Sequence, residues 1–375
     1  MIYEIKSKGN EKILNKVKYE DIKFYNNVYD EDLLLNSDYC DKKLIKKLFE
    51  EKHKLDFVFD NNYLDLYTKA RDSIFKKDKQ GSKTFHNRAG DKILETLKLL
   101  DLDKELIKNH KDFFYFSSVA DGPGSWVEVI LKLVKNPVLG FGMTLLTKDI
   151  KGKSTLNWYP WIKKDDRFFI DYGKTGTGNI YLMSNILCFH NNIKEKTNNI
   201  MLDLSISDGG IEITKPINGI HYDNIQELLN NRLKLSEFFI GLLNLKENGM
   251  LISKIYDCFG DLMASILYIA SIVFDKVYIV KPTTSRIVNS EKYLVCLGYH
   301  QNINIIKVIA ETISNSNKNN IPQFIINPSI LKKDKIFIKS ITNFNNNYMI
   351  KQIDALNKVN VKTYELIDIK NKSNK

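Results

Sequence analysis

A lysine lies inside an apolar run, Met250-Leu-Ile-Ser-Lys-Ile-Tyr-Asp257. Such a run reads as a strand buried on both faces of a sheet. Lysine is almost never fully buried without a partner. Lys254 therefore needs carboxylates close by. It is either half of a structural ion pair or a candidate general base, because a buried ammonium changes its pKa readily. Three more charged residues stand on or beside the ends of apolar segments: Lys92 in FHNRAGDK, Asp208 in SDGG and Glu291 in SRIVNSEKYLVC. Singly these read as a solvated helix charge, a turn residue and an exposed strand start. Together they offer two cations and two anions for one site.

The second chemical signal is the turn Val119-Ala-Asp-Gly-Pro-Gly-Ser-Trp126. It joins the apolar run FFYFSSV to the helical pattern SWVEVILKLV. A glycine-rich turn between a strand and its helix lets a ligand approach the backbone. Two ligands suit it: a dinucleotide pyrophosphate at the helix N-terminus, or S-adenosylmethionine (AdoMet), whose methionine and ribose parts cross the same place. The order GPGS is not GxGxxG, and no run matches GxxxxGK[ST]. That disfavours a dinucleotide and a P-loop, and leaves a plain structural turn as the alternative.

The elements that must hold these residues alternate. Strand-like runs are FFYFSSV, PVLGFGMTL, NIMLDLSIS, MLISKIYD, KVYIVK and KYLVCLGYH. Helical patterns cover Asp91 to Leu102, SWVEVILKLV, NIQELLNNRLKLSEFFIGLLNL and DLMASILYIASIVF. An irregular insert, Thr147 to Ile186, follows the second strand, and NNNYMIKQIDALNKV reads as a late helix. The alternation predicts an α/β sheet covered on both faces. In such sheets ligands sit at the carboxyl ends of the strands, so the Gly-Pro-Gly turn, SDGG and the end of MLISKIYD should converge. The 375 residues suit one large domain with additions, or two domains. The formal charge is +11, and residues 301–375, with 12 Lys against 5 Asp and Glu, carry +7 of it. A polyanionic partner is favoured, although a solvated lysine-rich tail explains the same excess. The start lacks the apolar run of a signal peptide. The longest apolar stretch, Leu262 to Phe274, is far short of the roughly 20 residues that span a bilayer. The four cysteines are scattered with no CxxC pair, which fits reduced thiols and neither a zinc site nor a disulfide framework. An intracellular protein, not secreted and without a membrane partner, is expected.

These residues resemble a known family. The chain is similar to the FtsJ-like ribose 2′-O-methyltransferases, and most to the mRNA cap-1 enzymes of eukaryotes and large DNA viruses. The matching stretches are FHNRAGDK, FYFSSVADGPGSW, GFGMTL, YGKTGTGNI, SDGG, LISKIYDCF, KPTTSRIVNSEKYLVC and IKQIDALNKV, in family order from about residue 67 to 360. The resemblance implies a Rossmann-like fold with a mostly parallel seven-stranded sheet, helices on both faces and N- and C-terminal additions. It divides the chain into a mostly helical extension (1–80) open to RNA or cap contact, an AdoMet-dependent domain (81–300), and a basic extension with one helix (301–375). It implies methyl transfer from AdoMet to the ribose 2′-hydroxyl of the first transcribed nucleotide of capped mRNA, without a metal. Lys92, Asp208, Lys254 and Glu291 become the tetrad around the ribose. Lys254 is its base, with a pKa lowered by Lys92 beside it. Cofactor contacts fall to Asn87, Ala120, Asp121, Gly122, Pro123, Gly124, Ser125, Trp126, Asn179 and Asp208. RNA contacts fall to Asn289, with Arg286 as a phosphate or structural partner.

Departures from the family pattern fall near the cofactor. Ser118 stands where the family carries an acidic residue before its CAGPGG, with Asp121 as a candidate to compensate. Asn179 replaces the acid of GDI, and SRPANSE has become SRIVNSE. A ribosomal or transfer RNA ribose methyltransferase, and a non-catalytic RNA-binding or scaffold subunit, are the alternative readings. The 5′ end of capped mRNA is the expected partner, beside other capping or transcription proteins. A pocket for the methylated guanine is sought in residues 1 to 80 or in the insert at Trp158 and Trp161. The abundance of Lys, Asn and Ile suits an AT-rich genome, viral or protist.

Overall fold

The structure, a computed structural model, describes residues 1–75, 84–107, 112–146, 157–211 and 221–373. Eight strands form the main sheet: β1 (Ile2–Glu4), β2 (Phe114–Val119), β3 (Val138–Met143), β4 (Phe168–Ile170), β5 (Leu202–Ser207), β6 (Leu245–Ile255), β7 (Phe274–Val280) and β8 (Lys292–Tyr299), in spatial order β1-β7-β8-β6-β5-β2-β3-β4. β4, β3, β2, β5 and β6 run parallel, β8 lies antiparallel between β6 and β7, and β1 is antiparallel to β7. The expected count of seven is thus corrected to eight. The eighth is β1, a three-residue edge strand from the N-terminus, too short to show a period in sequence.

The longer helices are α1 (Lys42–Asp60), α2 (Leu64–Ile74), α3 (Arg88–Leu99), α4 (Ser125–Leu133), α5 (Met183–Lys196), α6 (Gln226–Asn244), α7 (Asp261–Val273), α8 (Ile303–Asn315) and α9 (Lys335–Ser373). Adjacent residues of β6 feed opposite layers of core: Leu251 packs with α6 and α7, and Ile252 with α3 and α4. A third apolar cluster joins α1 to α9 through Leu48, Phe49, Val58, Met349, Ile353 and Leu356. The last 75 residues therefore hold two long helices where one was expected, and α9 runs 39 residues against the N-terminal pair. The insert contains β4 and the start of α5, and its residues 147–156 lie outside the described residues.

Trp158 closes the insert onto the sheet. It is 2% exposed, its ring meets Phe168 edge-on at 5.1 Å, and a Cβ on Gly142 of β3 would lie 2.7 Å from it. It is a core residue, so the expectation that it stacks a cap base does not hold. Trp161 is half-buried and stacks on His86 at 5.9 Å. Truncating Trp158 to Ala is expected to cost about 3–5 kcal/mol of stability, read as a fall in the denaturant midpoint at unchanged slope.

Candidate active site

Strand register brings the charged residues together. Val119 of β2 pairs with Ser207 of β5, and Ser207 pairs with Ser253 of β6. The next residues on those last two strands are Asp208 and Lys254, and Lys254 Nζ lies 3.1 Å from Asp208 Oδ1. Lys254 in turn pairs with Tyr293 of β8, just past Glu291. Lys92, on the second turn of α3, donates to Glu291 Oε2 at 3.0 Å and lies 2.8 Å from its Oε1. The hydroxyls of Tyr293 and Ser285 donate to the same Oε1 at 2.8 and 2.9 Å. The four side chains therefore form two ion pairs, Lys254–Asp208 and Lys92–Glu291. Their exposures lie between 14% and 21%, so they are largely removed from water, while Lys254, Asp208 and Glu291 remain open to a cavity.

Burial works to lower the Lys254 pKa, but Asp208, Tyr256 and Glu291 outweigh it and hold the ammonium above its ordinary range. Burial likewise works to raise Glu291, and Lys92, Lys254 and Lys281 overcome it, leaving the carboxyl at about 2. The expected depression of Lys254 by Lys92 is therefore absent. Lys92 faces Glu291, which neutralises it, while Lys254 faces a carboxylate of its own.

The site opens into a cavity of about 740 Å³. Asn87, Ala120, Gly122, Pro123, Asn179 and Asp208 line it, as do Lys254, Asn289 and Glu291. Ala120 sits at φ +53°, in the left-handed region that costs roughly 1–2 kcal/mol for a residue with a Cβ. Its N–H is anchored on Met143 O at 2.8 Å. Asn87 caps α3, accepting the Ala89 N–H at 2.8 Å, and donates to Tyr159 OH at 3.0 Å. Asn179 is held by Asn185, which donates to its carbonyl at 3.0 Å.

Asp121, Gly124, Ser125 and Trp126 stand behind this wall, outside the cavity lining. Asp121 Oδ2 accepts from Ser118 Oγ at 2.9 Å and from the Val127 and Trp126 amides at 3.1 and 3.2 Å. It caps α4 and shares a hydrogen bond with the serine that replaced the family's acid. Gly124 has φ +105°, and a Cβ there would collide with Ile162. Arg286 also lies outside the lining, and its carbonyl accepts the Asn289 N–H at 3.1 Å.

Sequence reading missed the buried pair Lys234–Glu237 under Gly209, and Lys281, which donates to the carbonyls of Asn289 and Glu291 at 2.9 and 2.6 Å. Charged residues set within apolar segments were the available signal. Among the described residues, Asp56, His221 and Asp223 also bring ligand-type atoms within 4.8 Å of one another, on the helical side of the cavity and apart from the tetrad.

Residues 85–299 match the FtsJ-like methyltransferase family. The chain belongs to that family. It is 32% identical over 325 residues to cap-specific mRNA (nucleoside-2′-O-)-methyltransferase 1 of Trypanosoma cruzi, covering 83% of this chain and 84% of the relative. The protein of the same name from Trypanosoma brucei brucei is 32% identical over 64% of each chain. A Caenorhabditis briggsae relative, named inactive cap-specific mRNA (nucleoside-2′-O-)-methyltransferase 1B, is 27% identical over 82% of this chain and 38% of its own length. These relatives are eukaryotic and give the viral attribution no support. Methyltransferases of this family use AdoMet. No helix among the described residues is long and apolar enough to cross a membrane.

Burial first, and Asp208 second, push the Asp121 carboxyl up to about 8. The folded protein then keeps a proton that the unfolded chain releases near pH 4. Asp121 favours folding most at low pH, and that contribution is lost as pH rises toward 8. Asp121→Asn is expected to flatten stability between about pH 4 and 8, measured by denaturant unfolding across that range.

Proposed function

We propose that this chain transfers the methyl group of AdoMet to the ribose 2′-hydroxyl of the first transcribed nucleotide of capped mRNA, converting cap 0 to cap 1. The observation that carries the reading is the double ion pair Lys254–Asp208 and Lys92–Glu291, of which Lys254, Asp208 and Glu291 line the cavity with the Gly-Pro turn and Lys92 stands behind Glu291. The cavity suits AdoMet. The backbone of Ala120, Gly122 and Pro123 is open to it, Leu145 and Ile180 offer apolar surface, and Asp208 supplies a carboxylate for a cationic ligand. When bound, AdoMet supplies a methyl group on a sulfonium, a good leaving group without help from an acid.

The residues of the chain do the rest. Lys254, in its neutral form, takes the hydroxyl proton as the oxygen–carbon bond forms and the carbon–sulfur bond breaks. Asp208 holds the Lys254 amine in place. Glu291, fixed by Lys92, Tyr293 and Ser285, shapes the ribose side of the cavity. Asn289 lines the same side and suits contact with RNA. General-base help of this kind contributes typically 10²- to 10⁴-fold, and alignment of oxygen, carbon and sulfur supplies the remainder.

The N-terminal helices supply the other walls, with Lys52 and Phe59 of α1 and Tyr67 of α2, and Asp223 lines the cavity beside α1, close to Asp56. A methylated guanine is cationic, and an aromatic face beside a carboxylate suits it. Of the two places expected for this base, the support favours α1 and α2 over the insert. Phe59→Ala is expected to raise KM for capped RNA several-fold with kcat little changed.

Labelled AdoMet and two short RNAs, one capped and one uncapped, test the reading. Label is expected on the first ribose of the capped RNA only, and Lys254→Ala is expected to abolish it. Because Lys254 rests protonated, kcat should climb with pH, by up to about tenfold per unit. Equal transfer to both RNAs would favour the ribosomal or transfer RNA alternative. No transfer from folded protein would favour the non-catalytic one.

A further inference from the structure

We infer that Glu237 and Lys234 are positioning residues for the transfer reaction, acting on Asp208 through the peptide of Gly209. The inference rests on the function proposed above. Gly209 is buried just beyond the end of β5, where no strand partner remains for its polar groups. A buried backbone N–H or C=O without a partner is costly. α6 supplies both partners from one turn. Gly209 N–H donates to Glu237 Oε1 at 3.0 Å, and Lys234 Nζ donates to Gly209 O at 2.7 Å. The two side chains also pair with each other at 2.6 Å, with exposures of 2% for Lys234 and 0% for Glu237.

A buried ion pair is weak evidence for stability, because apolar residues of similar volume often serve as well. An apolar pair here would leave the Gly209 peptide unpartnered, so the charges have a local task. That peptide directly follows Asp208, whose carboxylate holds Lys254 at 3.1 Å. Ser253, next to Lys254, donates to Glu237 Oε2 at 3.4 Å and accepts from Ser207 Oγ at 2.8 Å. Glu237 thus touches the backbone that carries Asp208 and the strand that carries Lys254. The glycines of SDGG follow from this crowding. A Cβ on Gly209 would collide with Glu237 Oε1, and one on Gly210 with Tyr256 OH. Lys234 Nζ stands 5.9 Å from the centre of the Tyr256 ring, closing the network beneath the cavity. Lys234 and Glu237 do not themselves line the cavity; they reach it through Gly209 and Tyr256, which do.

The test compares Glu237→Leu, Lys234→Met and the conservative Glu237→Gln with the parent. Methyl transfer to capped RNA gives kcat and KM, and hydrogen exchange reads the Gly209 amide. In the parent that amide is expected to be protected. Glu237→Leu and Lys234→Met should lower kcat by up to about a hundredfold with KM for AdoMet and RNA nearly unchanged. Glu237→Leu should also free the Gly209 amide. Glu237→Gln keeps an acceptor and should restore kcat close to the parent's. If Glu237→Leu does not fold, Lys234→Met carries the same comparison. Parental kcat in either folded variant, loss confined to KM, or a rapidly exchanging Gly209 amide in the parent overturns the inference. A parent inactive on every RNA overturns the proposed function instead, and the exchange measurement then judges the clamp alone.

Discussion

Two opposite charges meet at the ends of adjacent parallel strands, and much of the molecule is arranged to make that possible. The Lys254–Asp208 contact lies where the sheet ends, with little water to screen it. An ammonium in such a place is tolerable only beside carboxylates. The Ser207–Ser253 pairing sets the two residues next to each other, and a slip of one residue would send one of them to the opposite face. The fold therefore fixes the chemistry through register more than through any loop.

The segments outside the sheet brace this arrangement. Lys292, next to Glu291, pairs with Asp257 at 3.0 Å, and Lys52 of α1 reaches the same carboxylate at 3.5 Å. α9 holds the loop before β8 from the other side: Tyr348 OH donates to Asn289 O at 2.6 Å, and Gln352 donates to Val288 O at 3.0 Å. The N- and C-terminal additions thus fix the loop carrying Asn289 and Glu291, and α1 and α2 wall the cavity. Their packing on each other through α1 and α9 gives a reason for a 39-residue helix.

The sequence made the central strands legible because each is an apolar run between turn residues. Lys254 was legible for the opposite reason, since it interrupts such a run, while its grouping with Lys92, Asp208 and Glu291 came from the family resemblance. Pairing within the tetrad was not, because which cation faces which anion depends on register and on the angle of α3. The role of Asp121 was hidden in the same way. A carboxylate in a glycine turn can face the ligand or cap the next helix, and only the fold shows that it caps. β1 and β4, at three residues each, are too short to carry a period. α9 was recognised only in its middle, because its C-terminal end is polar and its partners lie some 300 residues away in sequence, as in the Tyr364 to Lys54 hydrogen bond.

The most direct test of this account is titration of the Lys254 side chain itself, by NMR of carbon-labelled lysine in the protein without ligands, with Lys254→Arg to assign the signal. Lys254 is expected to titrate above an ordinary lysine, and Asp208→Asn to bring the value down. A Lys254 that titrates at or below the ordinary value in the parent, or that is indifferent to Asp208→Asn, would contradict it.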